Sequence, residues 1–189
     1  MCSIMRYKNS EKSALKRIED ALCELIQKKD YNNITCSDII NESKVSRSTF
    51  YLYFKNKDQV VTLLCDDIFN HVFNHHLSKE KHHDFSHEHE NYIKMIDHSF
   101  YHFLEDKELI LSILNSGASS IFLKQLRKRV KPLVSHLLEE GIIGNNDVPF
   151  DMKEHQYVNG YTSLLQYYLR HANDVKPEII SEYYIKMCR

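Results

Sequence analysis

A chain of 189 residues with 25 Lys and Arg, 26 Asp and Glu and a formal net charge of −1 can bury a real core, and its charge excludes a wide basic coat for nucleic acid. Four Gly and three Pro predict long helices with short connections, while five scattered cysteines, never paired as CxxC, argue for reduced thiols over disulfides or zinc sites. No apolar run approaches the ~20 residues needed to cross a bilayer, and the N-terminal MCSIMRYKNSEK lacks the apolar core of a signal peptide, so a cytoplasmic protein is expected.

The first predicted helix spans Ser13 to Lys29, with Leu15, Ile18, Leu22, Leu25 and Ile26 at helical spacing. A connector follows from Asp30 to Ile34. Thr35 and Ser37 can offer side-chain oxygens to orphan backbone amides, and Asp38 adds negative charge where a helix dipole is positive, so a second helix should start there. Ile39 and Ile40 supply its apolar face, and the polar run Asn41 to Lys44 marks a turn. Ser46 is the expected cap of a third helix, Arg47 to Phe54. Phe50 and Phe54, four apart, anchor it to a core, which leaves Arg47, Ser48, Thr49, Tyr51 and Tyr53 toward the opposite side. Two short helices joined by a tight turn are the layout of a DNA-reading element.

The run Val45 Ser46 Arg47 Ser48 Thr49 Phe50 Tyr51 Leu52 Tyr53 Phe54 Lys55 Asn56 Lys57 Asp58 resembles the DNA-binding signature of TetR-family transcriptional regulators, and the helix before it fits as well. The resemblance is strong over the first third of the chain. It implies an all-α fold of about nine helices: a three-helix reading head over residues 1–56 and a helical regulatory and dimerisation domain over 57–189. It further implies a homodimer on a double-stranded operator, with repression relieved by a small-molecule effector, and a phosphate contact from Lys57. Lys44 departs from the pattern, because the family commonly places Gly in that turn; a positive φ there would cost a non-Gly residue about 1 kcal/mol.

Beyond Lys57 the pattern stays helical. Asp58 is placed to cap a fourth helix that runs to about Leu77, and in the resembled family this helix joins the reading head to the ligand domain. Ser78 to Glu90 is polar and reads as a loop or frayed end. Tyr92 to Glu105 and Lys107 to Asn115 are helical, and Ala118 to Glu140 forms a long amphipathic helix expected to bend or restart at Pro132. Gly141 to Pro149 is a connector. Residues 151–172 and 177–188 make two last helices with broad apolar-aromatic surfaces. The resemblance assigns them the dimer interface, where Gly160 would permit close approach, and the end of the chain is also faintly similar to regulators of dihydroxyacetone metabolism.

Charge supports the same polarity: residues 1–60 hold 11 Lys and Arg against 8 Asp and Glu, whereas the remainder holds 14 against 18. The expected DNA contacts are Thr35, Ser37, Ser46, Arg47, Ser48, Thr49, Tyr51, Tyr53 and Lys57. Arg47 is the candidate for a guanine edge, Tyr51 and Tyr53 for phosphates or thymine methyls, and Thr35 and Ser37 for phosphate at a helix N-terminus.

Phe100, Phe103, Phe122, Tyr161 and Tyr168 are candidates to line an apolar effector pocket, against the alternative that they are core. Nine of the twelve histidines fall between His71 and His102. His71/His75 and His98/His102 have the i, i+4 spacing of metal pairs, so a metal sensor is conceivable; the density peaks in the polar stretch, and the expectation is a solvated connector with no metal and no cofactor. Glycine-rich phosphate loops, GxSxG and HExxH are absent, and no catalytic role is expected. The rival to an effector-released repressor is an activator-type dimer whose C-terminal domain binds a protein co-regulator.

Overall fold

The computed structural model describes residues 13–74, 92–172 and 174–189, and among these residues the regular structure is entirely helical. In chain order the elements are α1 (Ala14–Lys28), a 3-10 turn (Tyr31–Asn33), α2 (Cys36–Ser43), α3 (Arg47–Tyr53), α4 (Lys57–Asn74), α5 (Tyr92–Glu105), α6 (Lys107–Leu114), α7 (Ser119–Glu139), α8 (Phe150–His171) and α9 (Pro177–Met187). The expected all-α fold with an N-terminal helix-turn-helix is what forms.

Local chemistry sets the ends. Ser13 caps α1 by accepting the Lys16 amide at 3.3 Å, and Pro177 opens α9 in its first turn, where a missing N–H costs nothing. One expectation is corrected. The cap of α4 is Asn56, whose Oδ1 accepts the Gln59 amide at 3.0 Å; the helix begins two residues earlier than a cap at Asp58 would place it, so Asp58 lies inside the first turn and its carboxylate instead accepts the Tyr31 hydroxyl. α7 runs as one helix from Ser119 to Glu139 with Pro132 inside it, so of the two alternatives expected there the chain does not restart. Val130, Val134 and Leu137, all fully buried, hold the helix on both sides of the proline.

Two compact units result: one runs to Ile68 and includes Asp106–Gln125, and the other comprises Phe69–Glu105 and Leu126–Arg189. Ile18, Leu22, Ile39, Phe50, Val61 and Ile113 are core residues of the first. In the second, α5, α8 and α9 are joined by aromatic side chains, of which Tyr161 and Tyr184 are hydrogen-bonded through their hydroxyls. Tyr161 stacks on Phe100 with centroids 5.1 Å apart, and its hydroxyl meets Ser99 Oγ at 2.5 Å. The Tyr184 hydroxyl donates to the Tyr157 carbonyl at 3.1 Å.

Candidate nucleic-acid interface

The start of α2 is locked by a reciprocal pair. Thr35 Oγ1 accepts the Asp38 amide at 3.1 Å, and Asp38 Oδ2 accepts both the Thr35 amide and the Thr35 hydroxyl at 2.7 Å, a capping box. Lys29 Nζ lies 2.8 Å from the same carboxylate oxygen. Its hydrogen bond, followed by those of the Thr35 amide and hydroxyl, holds the Asp38 carboxyl down to about 2. The Thr35 hydroxyl is thus engaged within the cap, while Ser37 faces outward and its Oγ accepts a 3.1 Å hydrogen bond from Arg47 Nη2. That bond ties the first turn of α3 to the first turn of α2.

The turn between them passes through Lys44 at φ 55°, ψ 31°, the only non-glycine residue with positive φ among the described residues. Val45 is then buried, and Ser46 caps α3 by accepting the Thr49 amide at 3.0 Å. Ser46 Oγ also meets Ser48 Oγ at 2.8 Å and Thr49 Oγ1 at 2.7 Å, so three of the candidate contacts share one hydroxyl network. Phe50 is completely buried and packs on Phe54, centroids 5.7 Å apart, which pins one side of α3. Arg47 and Ser48 are exposed, Tyr51 and Tyr53 are about half-exposed, and Leu52 is 77% exposed between them. Leu52 was not singled out by spacing; the signal was its position between two tyrosines with no apolar partner four residues away.

Lys57 stands apart from the other eight. Its ammonium donates to the carbonyls of Tyr31 at 2.6 Å and Ile34 at 2.8 Å, with Asn32 at 3.4 Å, and lies 4.3 Å from the Tyr31 ring centre. The side chain faces the 3-10 turn and is half-buried.

The five aromatic residues expected around an effector are all fully buried. Phe100, Tyr161 and Tyr168 are one buried cluster of the second unit. Phe103 packs edge-on against Phe69 and Phe73 at 6.3 and 5.9 Å, and Phe122 belongs to the first unit. The Tyr168 hydroxyl is buried without a hydrogen-bond partner among the described residues. Of the histidines, those at 75, 76, 82, 83, 87 and 89 lie outside the described residues. His71, His98 and His102 converge with Glu105, an acid that sequence spacing did not single out although it lies three residues after His102.

Comparison with known proteins matches two stretches of the chain. The family model described as bacterial regulatory proteins, tetR family, matches residues 18–63, and that of a transcriptional regulator C-terminal region matches residues 90–189. The HTH-type dhaKLM operon transcriptional activator DhaS of Lactococcus lactis subsp. lactis (strain IL1403) is 33% identical over 70 residues, which are 36% of this chain and 37% of the relative. The uncharacterized HTH-type transcriptional regulator YxbF of Bacillus subtilis (strain 168) is 27% identical over 112 residues, covering 50% of this chain and 30% of the relative. The similarity therefore spans only about a third of each relative's length. A TetR transcriptional regulator from Streptococcus agalactiae 2603V superposes with a TM-score of 0.72 at 26% identity, over 93% of both chains.

Proposed function

The chain belongs to the TetR family of bacterial regulatory proteins, and on that premise we propose that it is a homodimeric, sequence-specific DNA-binding regulator that reads the major groove with α3. The observation that carries this is the exposed row Arg47, Ser48, Tyr51 and Tyr53 on a helix pinned from behind by a fully buried Phe50. Ser37 and the first turn of α2 add backbone donors for a phosphate. Ser46 and Thr49 order the start of α3, and Thr35 and Lys57 hold the frame. The protein acts in the compartment that holds the DNA; no single helix among the described residues is long and apolar enough to cross a membrane.

The dimer forms through α8 and α9. Tyr167, Ile179, Tyr183 and Met187 are 40–63% exposed on these helices, and a Cβ added at Gly160 would meet nothing within 4 Å. An uncovered apolar face beside a side-chain-free backbone suits close helix pairing. Two reading heads would then address half-sites about 34–36 Å apart.

Regulation is by a small molecule in the second unit that favours a conformer with wrongly spaced heads and so releases repression, with a coupling of ~1–3 kcal/mol. The Tyr168 hydroxyl, buried beside Phe100 without a partner among the described residues, is a polar anchor that an effector would satisfy. A second reading, activation through a protein co-regulator, is favoured by the relative from Lactococcus, which is an operon activator.

The test begins by selecting duplex DNA from a random pool with the full chain and measuring its affinity by fluorescence anisotropy. Arg47→Ala and Tyr51→Ala should each weaken binding of the selected operator by about 5- to 100-fold with only a small change in melting temperature, because Arg47 is exposed and Tyr51 is half-exposed. Failure to enrich any sequence, or wild-type affinity in both variants at physiological salt, overturns the assignment of α3. Transcription in vitro from the same operator separates the modes: repression by the protein alone supports the first, and stimulation supports the second.

A further inference from the structure

Within the second unit, the last turn of α4 and the last turn of α5 bring three metal-ligating atoms together. His71 Nε2 lies 2.7 Å from Glu105 Oε2 and 3.0 Å from His102 Nδ1, and His102 Nδ1 lies 3.0 Å from the same Glu105 oxygen. The three atoms form a nearly equilateral triangle. Hydrogen bonding alone accounts poorly for it: each imidazole nitrogen carries one in-plane lone pair or one proton, so it cannot point at two neighbours at once.

We propose that His71, His102 and Glu105 form a binding site for a divalent first-row transition metal such as Zn²⁺ or Co²⁺. A cation about 2.1 Å from each ligand would sit about 1.2 Å above the plane of such a triangle, the geometry of three protein ligands with a fourth position left open. Two imidazoles and one carboxylate favour Zn²⁺, Co²⁺ or Ni²⁺ over Mg²⁺ or Ca²⁺, which take all-oxygen sets.

The surroundings supply what such a site requires. His102 is 2% exposed, and its remaining nitrogen, Nε2, is 2.9 Å from His98 Nε2. In the metal-bound form His98, one turn earlier on α5, would accept the Nε2 proton, so that Nδ1 keeps its lone pair toward the metal, the usual orienting role of a residue behind a ligand histidine. The Glu105 side chain is 34% exposed and that of His71 11%, so a hydrated ion can reach the site from solvent. The proposal does not rest on the DNA-binding reading; it concerns residues far in sequence from α3.

The experiment uses the full chain, freed of metal by chelation, titrated with Co²⁺ and followed by visible absorption, then competed with Zn²⁺. All titrations are also run in a background with His75, His76, His82, His83, His87 and His89 changed to Asn, which removes the other histidines of that region. One Co²⁺ per chain with an intense low-symmetry visible band is expected in both backgrounds. His71→Asn and Glu105→Gln should each lower affinity at least tenfold while far-UV circular dichroism stays native. His98→Asn should weaken binding without changing stoichiometry. Loss of binding when only the six outlying histidines are replaced, or unchanged affinity in both His71→Asn and Glu105→Gln, overturns the site. Anisotropy with metal-free protein tests α3 separately, so failure of one reading is visible apart from failure of the other.

Discussion

Lys57 and Asp58, adjacent in the chain, hold opposite ends of one side chain: Lys57 Nζ lies over the Tyr31 ring at 4.3 Å and takes the Tyr31 carbonyl at 2.6 Å, while the Asp58 carboxylate accepts the Tyr31 hydroxyl. The 3-10 turn is thereby fixed to the start of α4. Burial, together with the bond to Asp58, pushes the Tyr31 hydroxyl well above its ordinary range and keeps it a donor.

Removal of this clamp should act on stability before it acts on DNA. Lys57→Ala leaves the Tyr31 and Ile34 carbonyls without their cationic donor, a loss of about 1–3 kcal/mol. We expect a melting temperature lowered by several degrees and an unchanged slope of log affinity against log salt for operator DNA. A phosphate contact would instead reduce that slope by about one. A shallower slope with an unchanged melting temperature would return Lys57 to the DNA.

Lys44 carries a left-handed backbone at φ 55°, which an L-residue adopts at a cost of roughly 1–2 kcal/mol. Glycine removes that cost but adds freedom to the unfolded chain. Lys44→Gly should therefore stabilise by about 0.5–1 kcal/mol, a rise of roughly 2–4 °C at most. A fall in melting temperature would show that the Lys44 side chain contributes more than its backbone costs.

Glu19 on α1 is 3% exposed. Burial first, and then Asp67, push its carboxyl up to about 7, against the pull of Lys16 at 3.4 Å. Because the folded value exceeds the unfolded one, the folded state binds the extra proton between about pH 4.5 and 7, and stability falls as pH rises through that window. The contribution is full below it and lost above, with an amplitude of roughly 1–3 kcal/mol. Glu19→Gln mimics the neutral acid; denaturant melts should show the slope flattened and the variant more stable than wild type at pH 8. An unchanged slope would mean that another group titrates there.

Tyr168 and Tyr161 offer a paired comparison in one cluster. The Tyr168 hydroxyl is buried and has no hydrogen-bond partner among the described residues, whereas that of Tyr161 meets Ser99 at 2.5 Å. Tyr168→Phe should be neutral or stabilising by about 1 kcal/mol, and Tyr161→Phe destabilising by about 1–2 kcal/mol. Thermal melts of the two variants check the order; the reverse order would show that Tyr168 is satisfied in solution.

The sequence by itself determined the helices and the reading element, because their determinants are local. Thr35 with Asp38, Ser46 with Thr49, and Phe50 with Phe54 act across three or four residues, the distance at which a helix turn closes. Even the odd turn was legible, since Lys44 stands where a left-handed residue is needed. Tertiary structure decided what distant residues do for one another. Lys57 finds its carbonyls 23 to 26 residues back, and His71 finds Glu105 34 residues on. No period along the chain encodes such meetings. Spacing marked His71 as one of a histidine pair, and the packing of the end of α4 against α5 brings it to His102 and Glu105; side-chain identity was visible in the sequence, and only the fold supplied these partners.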